Sequence, residues 1–593
     1  MAYNHGVRVL ENPTSLTVPI EGSAGLQVIF GTAPVNLAED PYDATNKPKI
    51  AYSFAEAAAA VGYCDDFKHY NICESIDASF RVLAVAPIIL VNVLDPKVHR
   101  KSMEKQTVTL EEGQATVKCF GILRDTVKIA AGASEVTYSE ATLTQRVTHT
   151  EDDYAEEIDA EAENPKAEGY YELVDGAYVL TTDETPEAGK SYYSKFTRTV
   201  VDEAGTNPKA DGLYELTGDV YTPSDDTEIV EGKTYYAANV SEATELTADA
   251  DYVLTFDDDG YLVITLTDPE AEFTALTVEA KVIDPEAVDY TDIIGGYNVS
   301  TGEEKGLEII RHIFPKLQMT PGLIVCPGWS SNANVAAAIA AKCTGINGLF
   351  SCEAIVDLNT GENGARKYTD VFEKKQEAGF INKHLSVEWP CVRIGEKIYH
   401  ASAIKAAITA QTDAENDDVP NLSPSNKVVG ISGLCLEDGT EVVMDEQQAN
   451  VVNSFGVCTF NNFSGWATWG SNTAIYPAST DPKDRWFNCR RFFSWWGNNF
   501  IRTYHQRVDD PNDPRQVQAI VDDENVRGNS YVAQGKCAGF EIEYREADNT
   551  TADILNGSAK FLTHLAPYPP MEDILDVLEF DPALLQAAFT GGE

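Results

Sequence analysis

The sequence predicts a multidomain α+β fold, in which an α/β core with a mixed sheet carries an inserted all-β domain containing a repeat in two copies. Strand and helix patterns alternate in the first and last parts of the chain, which indicates α/β architecture. Residues 107–290 are instead rich in Thr, Tyr, Val and acidic residues, a composition that favours strands with polar faces. Within them, NPKAEGYYEL from Asn164 returns as NPKADGLYEL from Asn207. The 593 residues are enough for several domains.

The composition argues against several classes of partner. The chain has 94 acidic and 44 basic residues, a net charge of −50, and such a surface repels nucleic acid and anionic membranes. No apolar run is long enough to span a bilayer, so no membrane insertion is expected. The first residues lack the basic start and apolar core of a secretory signal, so none is expected. The eleven cysteines form no Cys-x-x-Cys pair, which is typical of reduced thiols in a protein made in the cytoplasm.

Residues 1–24 are predicted to be an extended N-terminal arm. Their pattern contains one short strand followed by turn residues, and it offers little core of its own. An extended terminal strand is well suited to pairing with the sheet edge of another chain. The alternative is a terminus that is disordered or that packs on its own chain. The strand residues assigned to inter-subunit pairing are Val7, Arg8, Val9 and Leu10.

Residues 25–106 are predicted to form an N-terminal α/β domain. Ser53 is a suitable N-cap for a helix that reaches Val61, and Gly62 is a suitable stop. The other predicted elements are strands over Leu26–Thr32 and Pro87–Leu94 and a helix over Cys73–Leu83.

Residues 107–290 are predicted to be a β-rich outer domain. A hairpin over Asp251–Thr267 turns at Asp-Gly, and the repeat occupies about residues 164–193 and 207–236. The two copies lie 43 residues apart and predict two small β modules in tandem. Residues 151–260 have 30 acidic and 6 basic side chains, a net charge of −24. A solvated outer decoration is the favoured interpretation, and binding to a cell surface or glycan is the alternative.

Residues 291–545 are predicted to form the core domain. A strand over Gly322–Cys326, a helix over about Ala333–Lys342 and a strand over Leu349–Leu358 follow the order of a βαβ unit with parallel strands. Further predicted elements are helices at Thr301–Ile313, Glu396–Gln411 and Arg515–Arg527 and a strand at Lys536–Glu543.

A Pro-Gly-Trp-Ser loop in this domain invites an enzyme interpretation. The sequence around Ser330 lacks the last glycine of the Gly-x-Ser-x-Gly nucleophile motif. No phosphate-binding or dinucleotide-binding glycine loop is present, and His384, Glu388 and His400 form no convergent acid–base set. We therefore assign no catalytic, cofactor-binding or metal-binding residue, and a hydrolase remains the alternative.

Five of the seven tryptophans lie in residues 450–508, which places the centre of the core domain there. A strand and a turn around Trp466 and Trp469 precede a single long predicted helix with apolar side chains at helical spacing. Arg490 and Arg491 belong to the basic flank of this helix. They meet either an acidic surface of another subunit or carboxylates of their own domain, and the sequence leaves both open.

Residues 546–593 are predicted to be C-terminal strands and an arm. Strands are predicted at Lys560–Leu565 and Asp573–Phe580, and the last residues trail off. The C-terminal residues assigned to strand pairing between subunits are Ile574, Leu575, Val577 and Leu578.

Three stretches resemble one family. WGSNTA at Trp469–Ala474 and the Arg-Arg-Phe-Phe helix at Arg490–Phe493 are similar to the C-terminal half of contractile-tail sheath proteins. Asp292–Cys343 is the longest match and is similar to sheath proteins of Gram-positive-type contractile tails. The resemblance covers the chain apart from the insert.

This resemblance implies a structural subunit, not an enzyme, that polymerises with copies of itself. It implies hexameric rings stacked helically around a tail tube, with the tail tube, baseplate and tail terminator proteins as partners and with no cofactor. It implies terminal arms that add strands to neighbouring sheets, and contraction that drives the tube through a cell envelope. It also implies a place in a phage virion or related particle assembled in the bacterial cytoplasm. The rival classes are a hydrolase and a surface- or glycan-binding protein built on the repeat.

Overall fold

The computed structural model of the chain describes residues 24–131, 136–141, 148–157, 164–201, 212–226, 230, 232–240, 244–268 and 274–590. The predicted arm strand, with Val7, Arg8, Val9 and Leu10, lies outside the described residues. All eleven cysteines are free, as expected for reduced thiols.

Fourteen α-helices lie in the part of the chain that the structure describes. They are α1 (Phe54–Val61), α2 (Asn71–Asp77), α3 (Pro165–Glu168), α4 (Tyr290–Ile294), α5 (Ile310–Leu317), α6 (Ala333–Lys342), α7 (Val371–Glu377), α8 (Ala401–Ala414), α9 (Glu446–Ser454), α10 (Pro482–Arg485), α11 (Phe487–Tyr504), α12 (Pro514–Ala533), α13 (Thr551–Leu555) and α14 (Pro582–Thr590).

The same described ranges contain 33 strands. They are β1 (Gln27–Gly31), β2 (Lys49–Ala51), β3 (Ile88–Asn92), β4 (Arg100–Ser102), β5 (Gln106–Thr109), β6 (Gln114–Phe120), β7 (Lys128–Ala131), β8 (Val136–Glu140), β9 (Thr148–Glu157), β10 (Tyr171–Val174), β11 (Ala177–Leu180), β12 (Tyr192–Val201), β13 (Tyr214–Thr217), β14 (Val220–Pro223), β15 (Tyr236–Val240), β16 (Thr244–Leu246), β17 (Tyr252–Phe256), β18 (Tyr261–Leu266), β19 (Ala275–Glu279), β20 (Lys281–Ile283), β21 (Gly296–Tyr297), β22 (Glu304–Lys305), β23 (Leu323–Val325), β24 (Glu353–Asp357), β25 (Leu385–Glu388), β26 (Cys391–Ile394), β27 (Lys397–Tyr399), β28 (Gly433–Cys435), β29 (Glu441–Val442), β30 (Thr459–Asn462), β31 (Trp466–Trp469), β32 (Cys537–Glu543) and β33 (Leu562–Pro567).

The central sheet has six strands in the order β2-β3-β1-β23-β24-β25, and all neighbours but β2 run parallel. Every residue of β1, β3 and β24 is buried, as expected for parallel strands covered on both faces. The predicted βαβ unit around α6 is confirmed by the parallel pair β23–β24. Because β1 and β3 come from residues 25–106 and the other parallel strands from residues 291–545, these two predicted domains share one sheet and fold as one unit.

Two helices show how local sequence shapes this unit. The Ser53 hydroxyl caps α1 by accepting from the Glu56 amide, and Gly62 ends it at a φ of +82°, where a side chain would clash with the Pro34 carbonyl. Helix α8 is buried at twelve of its fourteen positions against the sheet. The helix begins at Ala401, later than the predicted residue 396. A turn at Gly395 (φ +60°) instead places residues 397–399 in strand β27, which pairs antiparallel with β26.

Between the two parts of the chain that form the central sheet, the β-rich residues are flanked by the two strands of the antiparallel pair β4–β20. Beyond this pair lie sheets with the orders β16-β7-β19-β5 and β17-β18-β6. They bury a core of their own, which includes Val117, Ile129, Leu262, Ile264 and Leu276. The predicted hairpin over residues 251–267 is confirmed as β17–β18, with the turn at Gly260 (φ +79°).

Each copy of the repeat lies in one four-stranded antiparallel sheet, with the orders β11-β10-β12-β9 and β14-β13-β15-β8. Each sheet contains a stacked tyrosine pair: Tyr154 and Tyr178 have ring centroids 4.0 Å apart, and so do Tyr138 and Tyr221. Strand β8 precedes the first copy yet pairs with β15 of the second. The two sheets are therefore nested in the chain, where the spacing of the repeat had predicted a simple tandem.

The tryptophan-rich stretch forms the hairpin β30–β31 and then two helices. One continuous helix was the prediction, but the chain is extended at Trp486 (φ −90°, ψ 125°), between α10 and α11. The break arises because the Phe487 amide donates to the carbonyl of Ser471 in the preceding loop. Helix α11 then packs on α12 and β32 through an aromatic cluster that includes Trp495, Trp496, Tyr531 and Phe540.

The C-terminal part departs from one prediction. Strand β33 falls on the predicted strand near residues 560–565 and pairs with β32. Residues 573–580 were predicted to be a strand, but they pair with no other strand among the residues that the structure describes. The residues after them, expected to trail off, form the helix α14.

Candidate inter-subunit surface

The C-terminal arm, defined here as residues 568–590, exposes a dense series of apolar side chains. Ile574, Leu575, Val577 and Leu578 are 79%, 81%, 74% and 87% exposed. Phe580, Leu584 and Phe589 of the same segment are also exposed. A contiguous apolar surface of this kind marks an interaction site, since burying each such side chain stabilises a contact by about 1.5–3 kcal/mol.

The first residues of this arm are bound to the start of α11 and the loop before it. The Tyr568 carbonyl accepts from Asn488 Nδ2 at 3.2 Å and from Cys489 Sγ at 3.7 Å. The Glu572 carboxylate accepts from Arg485 Nη2 at 2.6 Å and from Asn472 Nδ2 at 3.3 Å. The arm is thus fixed at its root and exposes its apolar residues beyond it.

The described part of the chain also contains an open sheet edge. Within the described residues, β32 and β33 form a two-stranded sheet, so each has one strand neighbour. One face of β32 packs on α12, and Phe540 lies against Trp496 with ring centroids 4.5 Å apart. The outer edges present backbone donors and acceptors that can pair with another chain.

A buried ion pair binds the other end of the described chain. Arg491 donates through Nη2 to the Ala24 carbonyl at 3.0 Å and pairs with the Asp413 carboxylate at the end of α8. All three residues are buried. Burial raises the pKa of Asp413, and the Arg491 charge opposes that rise. Helix α11 therefore holds Ala24, the residue that follows the N-terminal residues 1–23.

The four residues assigned to the core or interface contact their own chain. Trp466 is half-buried against the main core, and Trp469 Nε1 donates to Asn450 Oδ1 at 2.8 Å. Arg490 lies 3.2 Å from the Asp484 carboxylate, and Arg491 pairs with Asp413. For these two arginines the acidic partners are therefore in the same chain. Sequence reasoning placed Arg485 in the basic flank and Cys489 in the apolar stripe of the helix, but it did not foresee that these residues and Asn488 bind residues 568–572.

The groups considered for a hydrolase are engaged in structural contacts. Ser330 is fully buried, and its hydroxyl donates to Asp357 Oδ2 at 3.1 Å. His400 Nδ1 lies 2.9 Å from the buried Glu74 carboxylate. Burial alone would lower the pKa of His400, but Glu74 and nearby carboxylates outweigh it and raise that pKa to about 10. A buried hydroxyl bound to a carboxylate, and a histidine held as a cation, are poorly suited to nucleophilic catalysis.

Metal-ligating groups and membrane-spanning helices concern other classes of function. No group of three or more His, Cys, Asp or Glu side chains within them is placed to hold a metal ion. Among the same residues, no helix is both long enough and apolar enough to cross a membrane.

Comparisons with known proteins agree on one kind of relative. No model of a known protein family matches the chain. The tail sheath protein of Burkholderia phage BcepMu is 23% identical over 314 residues, which cover 50% of this chain and 63% of that protein. A putative prophage major tail sheath protein of Pseudomonas aeruginosa strain UCBPP-PA14 is 26% identical over 316 residues, which cover 51% of this chain and 75% of that protein. The chain is a sequence relative of phage tail sheath proteins.

Two solved structures similar to this chain are of sheath proteins as well. A sheath tail protein from Desulfitobacterium hafniense matches with a TM-score of 0.41 and 10% identity, covering 91% of this chain and 93% of that one. The contracted sheath complex of an extracellular contractile injection system, PVC, matches with a TM-score of 0.39 and 20% identity, covering 47% of this chain and 76% of that one.

Proposed function

We propose that this chain is the structural subunit of a contractile tail sheath and polymerises with its own copies around a tail tube. The observation that carries the proposal is the C-terminal arm, whose apolar side chains are exposed while its root is bound to α11. A segment with this geometry is buried only when a second molecule covers it. Because this chain is similar in sequence to tail sheath proteins, we propose that the covering molecule is a second copy of the same chain.

The arm joins copies by strand addition. Within the described residues, 573–580 pair with no other strand, and each strand of the hairpin β32–β33 has one edge without a strand neighbour, which a neighbouring copy could pair with. Adding the arm to such an edge satisfies backbone groups and places Ile574, Leu575, Val577 and Leu578 against the neighbour's surface. Residues 1–24, with Val7, Arg8, Val9 and Leu10, are proposed to act in the same way at the other end.

This joint suits a lattice that contracts. Backbone hydrogen bonds in an added strand stay intact while the rigid bodies on either side rotate, so the copies remain connected through a large rearrangement. Contraction is then a change from a metastable extended lattice to one with more favourable contacts between copies. No nucleotide is needed, and the energy is the sum of small differences over many copies.

The remaining assignments follow the same proposal. The copies form hexameric rings stacked helically in a virion tail or a related particle, between a baseplate and a tail terminator, and drive the tube through a cell envelope. Residues 107–290 are proposed to be an inserted outer all-β domain with a two-copy repeat. Its charge of −24 over residues 151–260 suits a solvated position away from the tube.

Substitutions in the arm test the proposal. Leu575→Asp with Leu578→Asp adds two charges to the apolar series, and we expect this variant to stay monomeric where the unaltered protein forms hollow cylinders in negative-stain electron microscopy. The matched control is Val299→Asp with Val443→Asp, which changes two apolar residues that are 85% and 79% exposed elsewhere. The control is expected to assemble. Normal cylinders from the arm variant would contradict the proposal.

A deletion of residues 1–24 tests the second arm. We expect the truncated chain to be folded and soluble, with the circular dichroism spectrum of the full chain, and to form no cylinders. Cylinders of normal length from the truncated chain would show that the N-terminal segment does not join copies.

A further inference from the structure

Both arm roots are bound by the same short stretch of α11. Asn488 and Cys489 bind the Tyr568 carbonyl at the root of the C-terminal arm, and Arg491 binds the Ala24 carbonyl at the root of the N-terminal arm. Three residues along an α-helix span about 4.5 Å. Segments that are more than 500 positions apart in the 593-residue chain are therefore held within one helical turn of each other.

The N-terminal root lies in a close-fitting socket. A Cβ atom on Gly322 would come within 2.2 Å of the Ala24 carbonyl oxygen, and one on Gly25 within 2.8 Å of the Ala410 Cα. Arg491 closes this socket from α11 and is itself fixed by Asp413. Since charge-assisted hydrogen bonds in a buried site are strong and directional, the backbone at Ala24 cannot shift without moving the arginine.

The C-terminal root is held by a similarly fixed arginine. Arg485 stacks on the rings of Tyr476 and Trp486, with its guanidinium carbon 4.3 Å and 3.9 Å from their centroids. Its Nε donates to Asn472 Oδ1 at 2.8 Å, and its Nη2 donates to Glu572. These contacts orient the guanidinium before it meets the arm.

We propose that residues 485–491, the start of α11 and the turn before it, are the junction that couples the two arms of a subunit, with Arg491 and Arg485 as the positioning residues. This inference rests on the proposed function, because it concerns arms that join copies. In a sheath, a mechanical force on one arm is transmitted to the turn of α11 that holds the other arm. Neighbouring copies are thereby connected through the few residues of this junction.

A double-mutant cycle on assembly tests the coupling, since groups that act as one unit give non-additive effects. The single variants are Arg491→Lys, which loses the guanidinium fork that reaches both Asp413 and Ala24, and Glu572→Gln, which weakens the bond to Arg485. The readout is the critical concentration for cylinder formation. We expect each single variant to raise it about tenfold, and the double variant to lie within about threefold of the worse single variant.

A second buried pair provides the matched control. Arg527 and Glu524 are buried in α12 at an Nη2–Oε2 distance of 2.8 Å, and their mutual bond involves neither arm root. Combining Arg527→Lys with Glu572→Gln is expected to multiply the two single effects. If Arg491→Lys does not fold, Asp413→Asn takes its place in the cycle, since it weakens the same anchor and keeps the shape of the side chain.

The outcomes separate this inference from the proposed function. Unaltered protein that never forms cylinders would contradict the proposed function itself. Cylinders from the unaltered protein, together with an Arg491→Lys and Glu572→Gln double variant whose effect is the full product of about a hundredfold, would overturn the coupling alone.

Discussion

Strand β24 and the C-terminal arm are both apolar, but they differ in where their partner lies. All five residues of β24 (EAIVD) are buried between neighbouring strands and helices of the same chain. The arm segment ILDVLEF exposes its apolar side chains instead. Composition alone does not distinguish these two segments. The difference teaches that one apolar run is buried by the fold of its own chain, and we propose that the other is buried in an assembly.

The largest effect on folding is expected at the buried ion pair between Arg491 and Asp413. Arg491→Leu removes one partner of a buried ion pair and leaves Asp413 uncompensated, which costs about 3–5 kcal/mol in such sites. The free energy of unfolding, measured by urea denaturation, is the readout. A decrease in the free energy of unfolding of less than about 1 kcal/mol is what an exposed ion pair contributes. Such a result would contradict a structural role for Arg491.

A pair of truncations tests the comparison directly. Ile355→Ala in β24 is expected to lower the free energy of unfolding by about 2–5 kcal/mol, because it opens a cavity between packed layers. Leu575→Ala in the arm is expected to change it by less than about 0.5 kcal/mol, because that side chain is exposed in the single chain.

Assembly should rank the two variants in the opposite order. Leu575→Ala is expected to raise the critical concentration for cylinder formation, and folded Ile355→Ala protein is expected to assemble as the unaltered protein does. If Leu575→Ala destabilised the monomer as much as Ile355→Ala, the arm would be part of the fold and the comparison would fail.

A smaller effect is expected from the ion pair between His400 and Glu74. The folded-state pKa of His400, raised to about 10, lies above its ordinary value of 6.5. The stabilisation of the fold by the His400–Glu74 pair is therefore complete below pH 6.5, and it is lost as the pH rises through about 10. We expect the free energy of unfolding to fall by about 1.5–3 kcal/mol across this window, the range for hydrogen bonds to charged groups.

His400→Gln provides the control for this pH dependence. The substituted side chain does not titrate, so urea denaturation between pH 6.5 and 10 should show a flatter profile than the unaltered protein. The same slope in both proteins would assign the pH dependence to other groups.

Much of the core was predictable because its signals are local. The cap at Ser53, the stop at Gly62 and the apolar runs of β1, β3 and β23 are each set by adjacent residues. The sharing of one sheet by residues 25–106 and 291–545 was not predictable, since it depends on contacts across the whole insert. The nesting of the repeat was missed because β8 and β9 lie outside the repeated motif.

The site was predictable only in outline. The apolar residues of the C-terminal arm were singled out from their pattern, but whether they are covered depends on the fold of the rest of the chain. The break at Trp486 comes from the Ser471 carbonyl, and the partners of Arg485 and Arg491 are 87 and 467 residues away in sequence. No local pattern encodes such contacts.

Electron microscopy of the purified chain tests the central claim most directly. That claim is that the arm is completed by a second copy. The account predicts hollow cylinders in which the arm of each copy lies as a strand on the β32–β33 hairpin of a neighbour. A protein that stays monomeric at high concentration, with residues 568–590 packed on its own body, would contradict it.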